Sequence, residues 1–136
     1  MTTTKTRTSG LAAIAATLLL ALMAASAQAG DDPSIKGDLR TNIHKAMNEF
    51  VASQSVDGAL RLYDPVDGKL LTLGSYDLHS GIVKKGDFYV SCADFVDQSG
   101  RKIDVDFLVI PKDGQLQATQ GIVHSVEGKK RAYHLE

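Results

Sequence analysis

The stretch YDLHSGIVKKGDFYVSCADF, residues 76–95, reads as two β-strands joined by a tight turn at Lys85-Gly86. Asp77, His79, Cys92 and Asp94 stand inside those strands, where Val or Thr would pack better. A two-residue turn pairs His79 with Cys92 and Asp77 with Asp94, and side-chain alternation puts all four on one face. The same counting through turns at Ser99-Gly100 and Asp113-Gly114 sets Phe107 opposite Cys92, Val105 opposite Asp94 and His124 opposite Ile103. The face carrying Val90, Cys92, Val105, Phe107 and Val109 is therefore expected beneath a helix, with Asp77, His79 and Asp94 as its polar end. Leu78, Ile82, Phe95, Asp104, Asp106 and Leu108 fall on the other face. Left uncovered, its apolar members form a patch of the kind that receives a protein or small-ligand partner.

Working outward, Leu39, Ile43, Met47 and Phe50 recur at helical spacing, joined by Ala46 and Val51. The spacing predicts one helix over residues 38–54, with Asp38 as its N-cap and SVDG as its stop. Everything after it reads as strands: GALRLYD, KLLTL, SYDLHSGIVK, DFYVSCADFVD, KIDVDFLVIP, LQATQGIVHSV and RAYHL. Each hairpin connection holds a glycine beside a polar residue. No second helical period is present. The expected class is α+β: one N-terminal helix packed on an antiparallel meander of five to six strands, forming a single domain over residues 38–136. GDDPSIKG, residues 30–37, is a polar leader expected to be mobile.

Residues 1–29 read as an export signal. Lys5 and Arg7 precede an apolar run of about fifteen residues, short for a membrane span, and SAQA closes it with a small-x-small pattern. Cleavage after Ala29 leaves a chain starting at Gly30, periplasmic or secreted, with no stable membrane insertion. Removing Lys5 and Arg7 from the 15 basic residues leaves 13 against 16 acidic ones, a net charge near −3. The basic groups are scattered apart from GKKR, which argues against nucleic acid as a partner. Cys92 is the only cysteine, so an intrachain disulfide is excluded and stability rests on packing or on a homodimer.

The helix-on-meander pattern resembles cystatin-like folds, and RLYDPVDGKLLTL resembles the strand–turn–strand of PepSY domains. KKGDFYVSCADFVDQSGRKIDVDFLV together with IVHSVEGKKRAYHL resembles small exported bacterial proteins of unassigned function. The resemblance implies export and a one-helix sheet fold; it brings no activity and no site residues.

The residues themselves leave two readings of the polar end. A carboxylate beside an imidazole fixes its tautomer and raises its basicity, so His79 with Asp77 or Asp94 could do acid–base work in a small NTF2-like pocket or enzyme. Packed at a sheet margin, the same residues are structural. Cys92 could be a nucleophile opposite His79, yet a mid-strand thiol beside Phe107 is better placed as packing. IDVDF puts Asp104 and Asp106 on one strand face, read as solvated. The histidines, His44, His79, His124 and His134, show no metal-ligand spacing, and no cofactor or phosphate-loop motif occurs. The sequence therefore reads as an exported, non-enzymatic binding or inhibitor-like module. Mass analysis of exported material should find its N-terminus at Gly30; a full-length chain held stably in the membrane would contradict the signal reading.

Overall fold

The computed structural model describes residues 30–132. The segment expected to direct export lies outside them, as do three of the five residues of the expected last strand, RAYHL. Helix α1 spans Asp38–Gln54 and buries Ile43, Ala46, Met47 and Val51, the stripe read from sequence. Its cap differs from expectation. Gly37, not Asp38, precedes the first turn at φ 58°, ψ −137°, with no side-chain cap, and Asp38 supplies a first-turn negative charge instead. The helix does not stand at the N terminus of the chain, and the segment before it makes contacts to the sheet and the helix. Ile35 is buried in the core, the Asp32 N–H donates to the Ile82 carbonyl at 2.8 Å, and Arg40 donates to the Ile35 carbonyl and to Asp31.

The strands are β1 (Ser55–Val56), β2 (Ala59–Asp64), β3 (Lys69–Lys85), β4 (Phe88–Asp97), β5 (Lys102–Lys112), β6 (Gln115–Val126) and β7 (Lys129–Lys130). They form one antiparallel sheet in chain order, so the α+β class and the meander hold, with seven strands instead of five or six. KLLTL and SYDLHSGIVK fuse into the single 17-residue β3, and two-residue strands line both margins.

Three hairpins turn through an Asp-Gly or Glu-Gly pair with positive φ at both residues: Asp57-Gly58, Asp113-Gly114 and Glu127-Gly128. That is the backbone of a type I′ turn, whose twist matches the strands it joins. The β3–β4 turn is different. Lys85 pairs with Phe88, so the central residues are Gly86 and Asp87, one residue beyond the expected Lys85-Gly86. Only Gly86 has positive φ, which suits a type II′ turn with glycine first; Lys85 there would be strained. A bulge then puts four steps of β3, Leu78 to Ile82, against two of β4, Ala93 to Ser91. It restores the expected pairing of Asp77 with Asp94.

The β4–β5 connection changes the face of everything after it. Val96 pairs with Lys102, so three residues, Gln98 to Gly100, cross between Asp97 and Arg101, not two. Ala93 consequently pairs with Val105 and Cys92 with Asp106, one residue out of the expected register. The Phe95, Ile103, Val105, Phe107 and Val109 side chains join one core under α1, with Leu60, Leu73, Ile82 and Ala93. The Phe107 ring meets the Phe50 ring edge-on at 5.7 Å and lies 6.3 Å from that of Phe95. Val90, Cys92, Asp94, Asp104 and Asp106 point to the outer face, so the placement of Phe107 under the helix holds and that of Cys92 beside it does not.

The sheet curls around α1 until β2 approaches β6. A Cβ on Gly121 of β6 would lie 3.4 Å from the Phe50 ring and 3.6 Å from Leu62 of β2, so helix and both strands meet in van der Waals contact at this point. Arg131 ties the margins together through Asp64, which is buried, and through Asp67 at 3.1 Å. Truncating Phe107 to Ala should cost about 3–5 kcal/mol, read as a shift of the urea midpoint with an unchanged slope. An unchanged midpoint would contradict the core described here.

Candidate functional site

The outer face of β3, β4, β5 and β6 carries a cluster of ionisable groups. His79 sits in the β3 bulge, outside the regular ladder. Its backbone neighbours are satisfied from within: the Ser91 hydroxyl donates to the Gly81 carbonyl at 2.8 Å, and Arg40 donates to the Ser80 carbonyl. With those groups paired, the bulge can hold the imidazole over β4. His79 Nδ1 lies 2.9 Å from Cys92 Sγ, and its Nε2 lies 3.1 Å from Asp94 Oδ2. Lys102 Nζ holds the same Asp94 oxygen at 2.6 Å. Burial pushes Asp94 upward, but the hydrogen bonds from Lys102 and His79 outweigh it and hold the carboxyl below its ordinary range.

A second histidine enters from β6, again where the ladder slips. Asp104 pairs with Ser125 and Val105 with Val123, which leaves His124 between them without an opposite residue. His124 is buried, with Nδ1 3.0 Å from Asp106 Oδ1 and 3.9 Å from Asp104 Oδ2. Asp106 is fully buried, Asp104 is 7% exposed, and Cys92 is 1% exposed. Asp104 is pushed up to about 6, first by burial and then by Asp106 and Asp94, against the pull of His79 and His124. Its Oδ1 makes no hydrogen bond. One donor atom each from His79, Cys92 and Asp104 lie within 4.8 Å of one another, a nitrogen, sulfur and oxygen set able to hold a metal ion.

Of the residues singled out from sequence, the structure brings His79, Cys92 and Asp94 together. Asp77 lies opposite Asp94 in the ladder, but it is exposed. His44 belongs to α1, where burial first and Arg40 second hold it below the ordinary imidazole range. His134 is outside the described residues. Asp104, Asp106, His124 and Lys102 are additions. Asp104 and Asp106 were read as solvated, and the one-residue shift across β4–β5 instead sets them beside Cys92 and Asp94, where they are buried. The alternation in IDVDF placed both acids on one face, so a three-residue loop count would have found them.

Two open grooves flank α1 on the inner side, of about 550 and 630 Å³. They run between the helix and the β5–β6 hairpin, past Ala46, Phe50, Leu39 and Leu116, and neither is lined by the cluster. Among the described residues no helix is long and apolar enough to cross a membrane. Comparison with known protein families, curated proteins and solved structures finds no match to this chain.

The raised Asp104 sets a pH dependence. Its folded value of about 6 stands above the ordinary 3.8, so the folded state holds the proton more tightly than the unfolded chain. Stability therefore falls as pH rises from about 4 to about 6, and the deficit is complete above that range. Asp104→Asn should stabilise the protein at pH 7 by on the order of 2 kcal/mol and give no gain below about pH 4. Urea denaturation at both pH values, in chelator, checks this; an equal effect at both would contradict it.

Proposed function

We propose that the protein is an exported, non-enzymatic binding module, periplasmic or secreted, whose ligand site is the outer-face cluster around His79. The observation that carries this reading is the state of the His79 ring. Both nitrogens are engaged inside the cluster, by Cys92 and by Asp94, and the Cys92 thiol is 1% exposed. A nucleophile must reach a substrate carbon, which the buried Cys92 thiol does not, and the quarter-exposed His79 ring spends both nitrogens on its neighbours. Buried donors gathered behind a partly exposed imidazole and carboxylate suit the capture of a small ligand.

The helix cradled by a chain-order meander supports a cystatin-like reading of the architecture, and the turn between Asp64 and Lys69 supports the PepSY likeness of that hairpin. A protein partner or a second copy of the chain would meet the β2–β3 hairpin, where Tyr63 and Leu70 pair and stand 61% and 57% exposed, with Val66 at the turn 52% exposed.

One geometric feature favours a second reading. Sulfur, imidazole and carboxylate of Cys92, His79 and Asp94 stand in line at 2.9 and 3.1 Å, the order of a thiol–imidazole–acid relay. Labelling with a thiol reagent separates the two. For a binding module, Cys92 should resist the reagent in the native state and react only on unfolding. Rapid, stoichiometric labelling of native protein at neutral pH, slowed by His79→Ala, would overturn this reading in favour of the relay.

A further inference from the structure

Resting on the binding-module reading, we propose that the cluster is a transition-metal site of the zinc type, with His79, Cys92 and Asp104 as ligands. The donor set is one neutral nitrogen, one sulfur and one carboxylate oxygen, a combination that selects a borderline-soft divalent ion over calcium or magnesium. Spacing agrees with it. Zinc–sulfur and zinc–nitrogen bonds at tetrahedral angles separate two donors by about 3.5 Å. The three donor atoms here lie within 4.8 Å of one another, and the His79–Cys92 pair is at 2.9 Å. An ion between them opens the short contact and draws in the long one by side-chain rotation.

The groups behind the ligands are in place as well. A ligating histidine commonly presents its second nitrogen to a carboxylate, which orients the ring. His79 Nε2 faces Asp94 in this way, and Lys102 anchors Asp94 from its far side. On the other flank, His124 bonds Asp106 at 3.0 Å and stands 3.9 Å from the Asp104 carboxylate, so it lies between the two acids beside the cluster.

An independent observation points to a missing partner. Asp104 is more than nine-tenths buried, and its Oδ1 makes no hydrogen bond. A buried carboxylate oxygen without a partner is costly, and a cation beside it removes the cost. Cys92 would bind as the thiolate, its proton passing to solvent as the ion enters. Three side chains leave the fourth tetrahedral position to a ligand outside this trio.

The tests are zinc titration of the chelator-stripped, purified protein and cobalt(II) substitution. We expect one equivalent of zinc, with proton uptake by the buffer, and a sulfur-to-cobalt charge-transfer band in the near ultraviolet. Cys92→Ser should abolish that band. Asp104→Asn should weaken zinc, and Asp94→Asn should weaken it by about 10–100-fold as a positioning residue. The absence of the cobalt–sulfur band in folded wild-type protein would overturn the proposal, and so would zinc binding unaffected by both Asp104→Asn and Cys92→Ser. If zinc fails to bind while Cys92 stays shielded from thiol reagent, the metal assignment falls and the binding-module reading stands. Rapid His79-dependent labelling of the metal-free native protein would overturn that reading instead.

Discussion

The carboxylate of Asp97 decides which side of the sheet each later residue faces. Its Oδ1 accepts from the backbone N–H groups of Ser99 and Arg101 at 2.9 Å each and from the Ser99 hydroxyl at 2.7 Å, while Oδ2 takes the Arg101 guanidinium at 2.8 Å. Burial acts against it, yet these donors hold the acid at about 2, so it stays charged and bonded at any ordinary pH. The bonds wrap three residues into the β4–β5 connection, with Gly100 at φ 80° supplying the left-handed step. An odd count places Phe107 under α1 while Asp104 and Asp106 join Cys92 and Asp94 outside. A loop one residue shorter would exchange those sets and send two carboxylates into the apolar core.

Given that register, the cluster depends on two interruptions of the ladder. The β3 bulge brings His79 over Cys92, and the slip in β6 frees His124 to lie between Asp104 and Asp106. Bulges re-aim side chains at a local loss of pairing, and the loss is small at β3 because Arg40 and Ser91 take up the stray carbonyls. Arg40 thereby links three parts: the segment before the helix, the helix itself and the bulge that carries His79. Asp104 remains the costly member, a buried acid with one oxygen unpaired. On the proposed binding reading, that cost is what a bound cation would relieve.

The helix was legible in the sequence because its 3.6-residue apolar period owes little to distant contacts; its bounds, Asp38 and Gln54, match the expectation. The turn at Asp113-Gly114 was legible for the same local reason. The Gly86-Asp87 turn was misplaced by one residue, since Lys-Gly and Gly-Asp both read as turns and only the left-handed preference of the first position separates them. The cluster was legible in part. His79, Cys92 and Asp94 were grouped by counting, and the grouping survived because the bulge restored the pairing that the misplaced turn had disturbed. Asp104 and Asp106 were placed on the opposite face, and His124 on the same face but apart from the polar end, because their placement depends on a loop length and two ladder slips that hydrophobic alternation does not encode.

Arg131 reaches back across 67 residues to Asp64, from just past the last strand to the second. Contacts of that separation pay the largest chain-closure entropy in a domain and tend to form after the local hairpins they join. A chain delivered in sequence order, amino end first, can assemble the helix and the early hairpins before Arg131 arrives. The curl around α1 would then be fastened last, and until it is, the buried carboxylate of Asp64 stays within reach of water. Among the described residues, a truncation just before Arg131 would leave every strand in place while removing the Asp64 and Asp67 contacts that join the two margins of the sheet.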